Sequence, residues 1–141
     1  MMRLVTLVAV LAMAAGCGGR DGPPVVATNV VVTAPAAGMP MAAGYLQISN
    51  HSGAAVRITR VSSPEYGSVE MHETIVEDGI ARMRAIPVLE VADGETIIFE
   101  RGGKHLMLMQ PVGKPGTITL NFYSDDVLLL SVSTEFTAAM E

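Results

Sequence analysis

The chain has 141 residues, the size of one ordinary domain, and a formal net charge of −5 that leaves no basic patch for phosphate, so a nucleic-acid partner is excluded. Its single cysteine rules out a disulfide, a CxxC redox pair and a zinc-thiolate cluster in the folded part. Half of the residues are apolar but only 4% are aromatic, and an apolar set of Val, Ile, Leu, Ala and Met suits a pleated sheet, where branched side chains pack well.

Residues 1–16 read as a lipoprotein-type signal peptide. Arg3 supplies a positive start, and residues 4–16 form an apolar run too short to span a bilayer. The run ends in Ala14-Ala15-Gly16-Cys17, small residues directly before a cysteine, which resembles the lipobox of bacterial lipoproteins, although a Leu is more usual where Ala14 stands. The resemblance implies that Cys17 becomes the mature N-terminus, carries lipid and holds the protein to a membrane. Residues 17–27 are then a flexible tether, and residues 28–141 the working domain of a periplasmic, membrane-anchored lipoprotein. The plainer alternative is an ordinary secretory signal in which Cys17 is incidental.

From residue 27 onward turn residues recur about every eight to twelve positions, and no segment holds a helical period, which is the pattern of a β-sandwich or barrel. The expected strands are 29–33, 44–49, 54–61, 68–75, 80–84, 95–100, 105–110, 117–123 and 127–133. The clearest alternation places Ile118, Leu120 and Phe122 on a buried face of an antiparallel sheet with one wet side. Gly, Asn or Asp stands where turns need positive φ, in Asn50-His51-Ser52-Gly53, Glu77-Asp78-Gly79, Asp93-Gly94 and Arg101-Gly102-Gly103-Lys104.

Three histidines and seven methionines lie beyond the signal segment. The Glu77-Asp78-Gly79 turn lies midway between His72 and Met83, so antiparallel pairing sets those two opposite each other or one register step apart. His105 and Met107, two apart on one strand, share a face, while Leu106 and Leu108 point into the core. Thioether sulfur is a soft, neutral ligand suited to copper(I), and imidazole suits copper in either oxidation state, so this set selects Cu(I) first and Cu(II) second. Zinc is the weaker candidate, and a blue-copper centre lacks its cysteine. Taken singly, a strand Met is ordinarily core filler. His72 alone reads as an exposed strand residue, His105 as a loop-end imidazole bonded to backbone, and His51 as a surface histidine. The joint spacing is what argues for a site.

Ten residues separate His72 from Met83, twenty-one separate Met83 from His105, and one separates His105 from Met107. This spacing resembles the histidine-methionine motif of the periplasmic copper chaperone family of PCu(A)C type. Tyr45-Leu46-Gln47-Ile48-Ser49-Asn50, Asp78-Gly79, His105-Leu106-Met107-Leu108 and the 118–122 strand are similar to that family as well. The resemblance covers residues 28–135 and implies a cupredoxin-like Greek-key β-sandwich that holds copper(I) through His72, Met83, His105 and Met107. It also implies delivery to a copper-receiving protein such as subunit II of cytochrome c oxidase, at its copper A centre. Met39, Met41, Met71 and Met109 are extra methionines near the motif, read as packing residues with an auxiliary ligand role as the alternative. Competing readings are a copper buffer or resistance protein, and a non-metal β-sandwich lipoprotein acting as an interaction module. An enzyme is not expected: Glu70, Glu73 and Asp78 lie near His72, but no nucleophile, base and orienting group stand together.

Overall fold

The computed structural model describes residues 24–34, 39–114 and 116–137; the signal peptide, Cys17 and most of the tether lie outside the described residues. Within them the chain forms eleven strands and no helix: β1 (Val25–Thr33), β2 (Met41–Asn50), β3 (Val56–Ile58), β4 (Arg60–Ser62), β5 (Tyr66–Glu77), β6 (Ile80–Ala85), β7 (Leu89–Val91), β8 (Thr96–Phe99), β9 (Lys104–Pro111), β10 (Thr117–Ser124) and β11 (Val127–Thr137).

Nine strands form one sheet in the order β4-β10-β11-β1-β2-β8-β9-β5-β6, and β3 pairs with β7 separately. β2 serves two neighbours in turn, residues 41–44 pairing with β9 and residues 46–49 with β8. A further pairing of Val61 on β4 with Val69 on β5 joins the two ends, so the sheet curls into a ring that leaves only β6 outside. Ile118, Leu120 and Phe122 of β10 are fully buried in it, as their alternation demands, together with Leu46, Ile48, Phe99, Leu106 and Leu108.

Three departures from the expected strands have local causes. β1 starts at Val25, so residues 25–27 of the expected tether pair with β2; Asn29 takes a positive φ of 53° and the register shifts between Thr28 and Val31, which resets the alternation. Residues 54–61 are two strands rather than one. At Thr59 the backbone N–H donates to the Tyr123 carbonyl (2.9 Å) and the hydroxyl accepts from the Asp125 N–H (2.6 Å), so the chain leaves β7 and joins β10. β7 itself was not expected. Three residues are too few to display a period, yet Leu89 and Val91 are buried opposite Ile58 and Val56.

Glu65 fastens the β4–β5 connection to β10. Its carboxylate accepts from the Thr119 N–H (2.9 Å) and the Ser63 hydroxyl (2.8 Å). Partial burial pushes its pKa up, but these two donors together with its own backbone N–H outweigh burial and hold it below the ordinary glutamate range. A depressed carboxylate contributes stability above its unfolded-state pKa and loses it as pH falls through the folded value. Glu65→Gln should therefore destabilise the fold by about 1 kcal/mol at neutral pH. The gap to the parent should close on acidification, which paired denaturant titrations at pH 7 and at pH 3 would check.

Candidate metal centre

Strand register decides which side chains meet. On β5 and β9, His72 lies directly opposite His105, Glu70 opposite Met107 and Ser68 opposite Met109. Val69, Met71, Leu106 and Leu108 are buried, so the alternating residues His72 and Thr74 on β5, and His105, Met107 and Met109 on β9, share the outward face.

Met83 joins this face from β6. The turn between β5 and β6 consists of Asp78 and Gly79 alone, both at positive φ (52° and 77°), with Glu77 paired to Ile80. That tight turn sets Met83 opposite Thr74 and Ala85 opposite His72. Of the two registers the sequence permits, the structure has the one-step offset. The diagonal separation is about 7–8 Å, within reach of a long thioether side chain.

The imidazoles are close and their ring nitrogens are differentiated. The His72 and His105 centroids are 6.0 Å apart with the rings tilted by 43°. An imidazole bound to an ion at about 2.0–2.1 Å through one nitrogen has its centroid roughly 3.2 Å from that ion; two such rings sharing an ion are therefore compatible with the observed spacing. His105 Nδ1 donates to the Gly103 carbonyl at 3.1 Å, which leaves the Nε2 lone pair free. His72 Nε2 lies 2.8 Å from Glu70 Oε2, and with that nitrogen donating, the free lone pair is on Nδ1, a buried atom with no protein partner. A carboxylate that orients a ligating imidazole is a recurrent support in metal sites. The sequence places Glu70 only as one of three acidic residues near His72, with Glu73 and Asp78. The signal that could have singled it out is its two-residue spacing from His72, which puts both on one face.

Met83, His105 and Met107 line one surface depression of about 390 Å³ together with Met41, Tyr45 and Arg101. His72 stands beside it with 15% of its side chain exposed, whereas Met83 on the outer strand is 63% exposed. The Arg101 guanidinium lies over the Tyr45 ring at 5.7 Å and forms a cationic wall. Among the described residues no three His, Cys, Asp or Glu side chains gather as a hard-ion or zinc site would require. The extra methionines divide: Met71 is core at 5% exposure, Met39 is 57% exposed, and Met41 and Met109 are partly exposed on the outward face. His51 is exposed at the far end of β2.

A family model described as LpqE-like matches residues 25–132. The chain belongs to the LpqE-like family. Solved structures similar to this LpqE-like chain include the copper-bound PCuAC domain from PmoF2, with a TM-score of 0.65 at 14% identity, covering 82% of this chain and 94% of that one. Apo-DR1885 from Deinococcus radiodurans has a TM-score of 0.58 at 24% identity over 99% of this chain and 96% of that one. The CuI-DR1885 structure has 0.57 at 26% identity, over 88% and 82%. Protein RP573 of Rickettsia prowazekii (strain Madrid E) is 25% identical over 86 residues, 58% of this chain; the match spans about half, 48%, of that relative's length. The PCuAC-type resemblance read from the sequence therefore holds for the LpqE-like chain, and its all-β, cupredoxin-like sandwich is the fold expected.

Proposed function

We propose that this protein is an extracytoplasmic copper chaperone that binds copper(I) through His72, Met83, His105 and Met107 and passes it to a copper-receiving protein such as subunit II of cytochrome c oxidase. The observation that carries this reading is the direct opposition of His72 and His105 on an outward face shared with Met107 and Met83. Each ring presents one nitrogen without a hydrogen-bond partner, Nδ1 of His72 and Nε2 of His105. Two imidazoles and two thioethers are neutral, soft-to-borderline donors, a set suited to copper(I) that leaves the bound ion with its single positive charge. The similarity to copper-bound PCuAC and CuI-DR1885 structures supports the same cargo.

Release follows from the unequal exposure of the ligands. The Met83 thioether, 63% exposed on the outermost strand, is the first that an incoming acceptor ligand displaces, and Met107 follows. His72, held by Glu70 and largely covered, retains the ion longest. Lipid on Cys17 would confine this exchange to a membrane surface, where oxidase subunits reside.

Titration of the mature chain with copper(I) against a competing chelator of known affinity should give one tight equivalent, and the loaded protein should metallate an apo copper A domain. No stoichiometric uptake would leave a non-metal interaction module as the reading. Tight uptake without transfer to any acceptor would leave a copper buffer.

A further inference from the structure

A second group of sulfur donors continues the same face. β2 pairs with β9 so that Met41 lies directly opposite Met109 and Ala43 directly opposite Met107. Ala42 and Gly44 are buried, so Met41 and Ala43 project outward with Met107 and Met109. Directly opposed residues have Cβ atoms about 4.5–5.5 Å apart, which lets the Met41 and Met109 thioethers meet. Met41 and Met107 line the same depression, and the side chain between them on β2 is the single methyl of Ala43.

Packing does not explain these methionines. Met71 belongs to the core cluster, while Met41 and Met109 are not part of it and occupy positions where a wet sheet face ordinarily carries polar groups. Electrostatics adds a direction. The next outward residue of β2 after Ala43 is Tyr45, beneath the Arg101 guanidinium, so a cation leaving the His72–His105 site meets positive charge on that side and sulfur on the other.

We propose that Met41 and Met109 form a second, weaker thioether position for copper(I), one register step along β9 from Met107, through which the ion enters or leaves the His72–His105 site. The inference rests on the copper reading above. The movement exchanges one sulfur ligand for another on an ion that stays monovalent, so no electron or proton is transferred. Having no imidazole, the pair binds more weakly than the primary site and fills after it.

Silver(I) is a redox-inert probe of copper(I) sites, and the methionine methyl groups of the mature chain, labelled with carbon-13, report each thioether separately by NMR. The first equivalent of silver(I) should shift the methyls of Met83 and Met107, and the second those of Met41 and Met109. In Met41→Leu/Met109→Leu, a volume-conserving change, the second equivalent should be lost while the first is retained. Failure of the Met41 and Met109 methyls to move while the first equivalent binds normally would overturn this inference and leave the chaperone reading standing. Failure of Met83 and Met107 to move would overturn the chaperone reading itself.

Discussion

Alanine at both Met83 and Met107 should weaken copper(I) binding by about a hundredfold or more, read by competition against a chelator of known affinity. Residues that merely support a metal ligand typically contribute 10- to 100-fold, and this variant removes two proposed ligands outright. The fold should survive, because Met83 is 63% exposed and Met107 lies on the outward face, away from Leu106 and Leu108 in the core. Met71→Leu is the matched control: Met71 adjoins His72 in sequence but is 5% exposed and faces the core. That substitution should leave both affinity and stability nearly unchanged. Unaltered affinity in the double alanine variant would rule out thioether ligation from these two residues.

The largest effect expected on stability is at Asn50, which is completely buried where β2 ends. Its Nδ2 donates to the carbonyls of Ala54 (2.7 Å) and Val91 (2.9 Å), and its Oδ1 accepts from the Ser52 N–H (3.0 Å). One side chain thus closes the 50–54 turn and ties it to β7, a strand of only three residues. Asn50→Ala leaves these backbone groups without partners and should cost about 3 kcal/mol. The melting temperature should fall by about 10 °C or more in a domain of this size. Asn50→Asp keeps the acceptor but sets a carboxylate against two carbonyl oxygens, so it should do no better. A melting temperature within a degree or two of the parent in both variants would show that the turn is held by other contacts.

Period-two reasoning served wherever a strand runs uninterrupted. It placed His105 and Met107 on one face with Leu106 and Leu108 behind them, and it found the buried row of Ile118, Leu120 and Phe122. It left the pairing of His72 with Met83 open between two registers, because midpoint arithmetic cannot tell which turn residues are unpaired. The positive φ angles of Asp78 and Gly79 decide that. The direct opposition of His72 and His105 lay beyond it altogether, since β5 and β9 are separated by three other strands in sequence and no local pattern fixes a long-range register. The division of residues 54–61 escaped for the same reason: the contacts that turn the chain at Thr59 come from Tyr123 and Asp125. Glu70 was seen as a charge and not as the partner of His72, because hydrogen bonding depends on side-chain direction rather than composition.

The ring of strands closes through β4 and β5 and does not include β6, which is bonded to β5 alone and carries Arg82 and Arg84 exposed along the sheet's free margin. The β5–β6 hairpin can therefore fray at its outer strand while the barrel keeps all of its own hydrogen bonds, at a free-energy cost well below that of global unfolding. Met83, the thioether proposed as a ligand on that strand, is thus mounted on a detachable arm and the two imidazoles on the fixed frame, so the proposed copper site would open at one corner without loosening the rest.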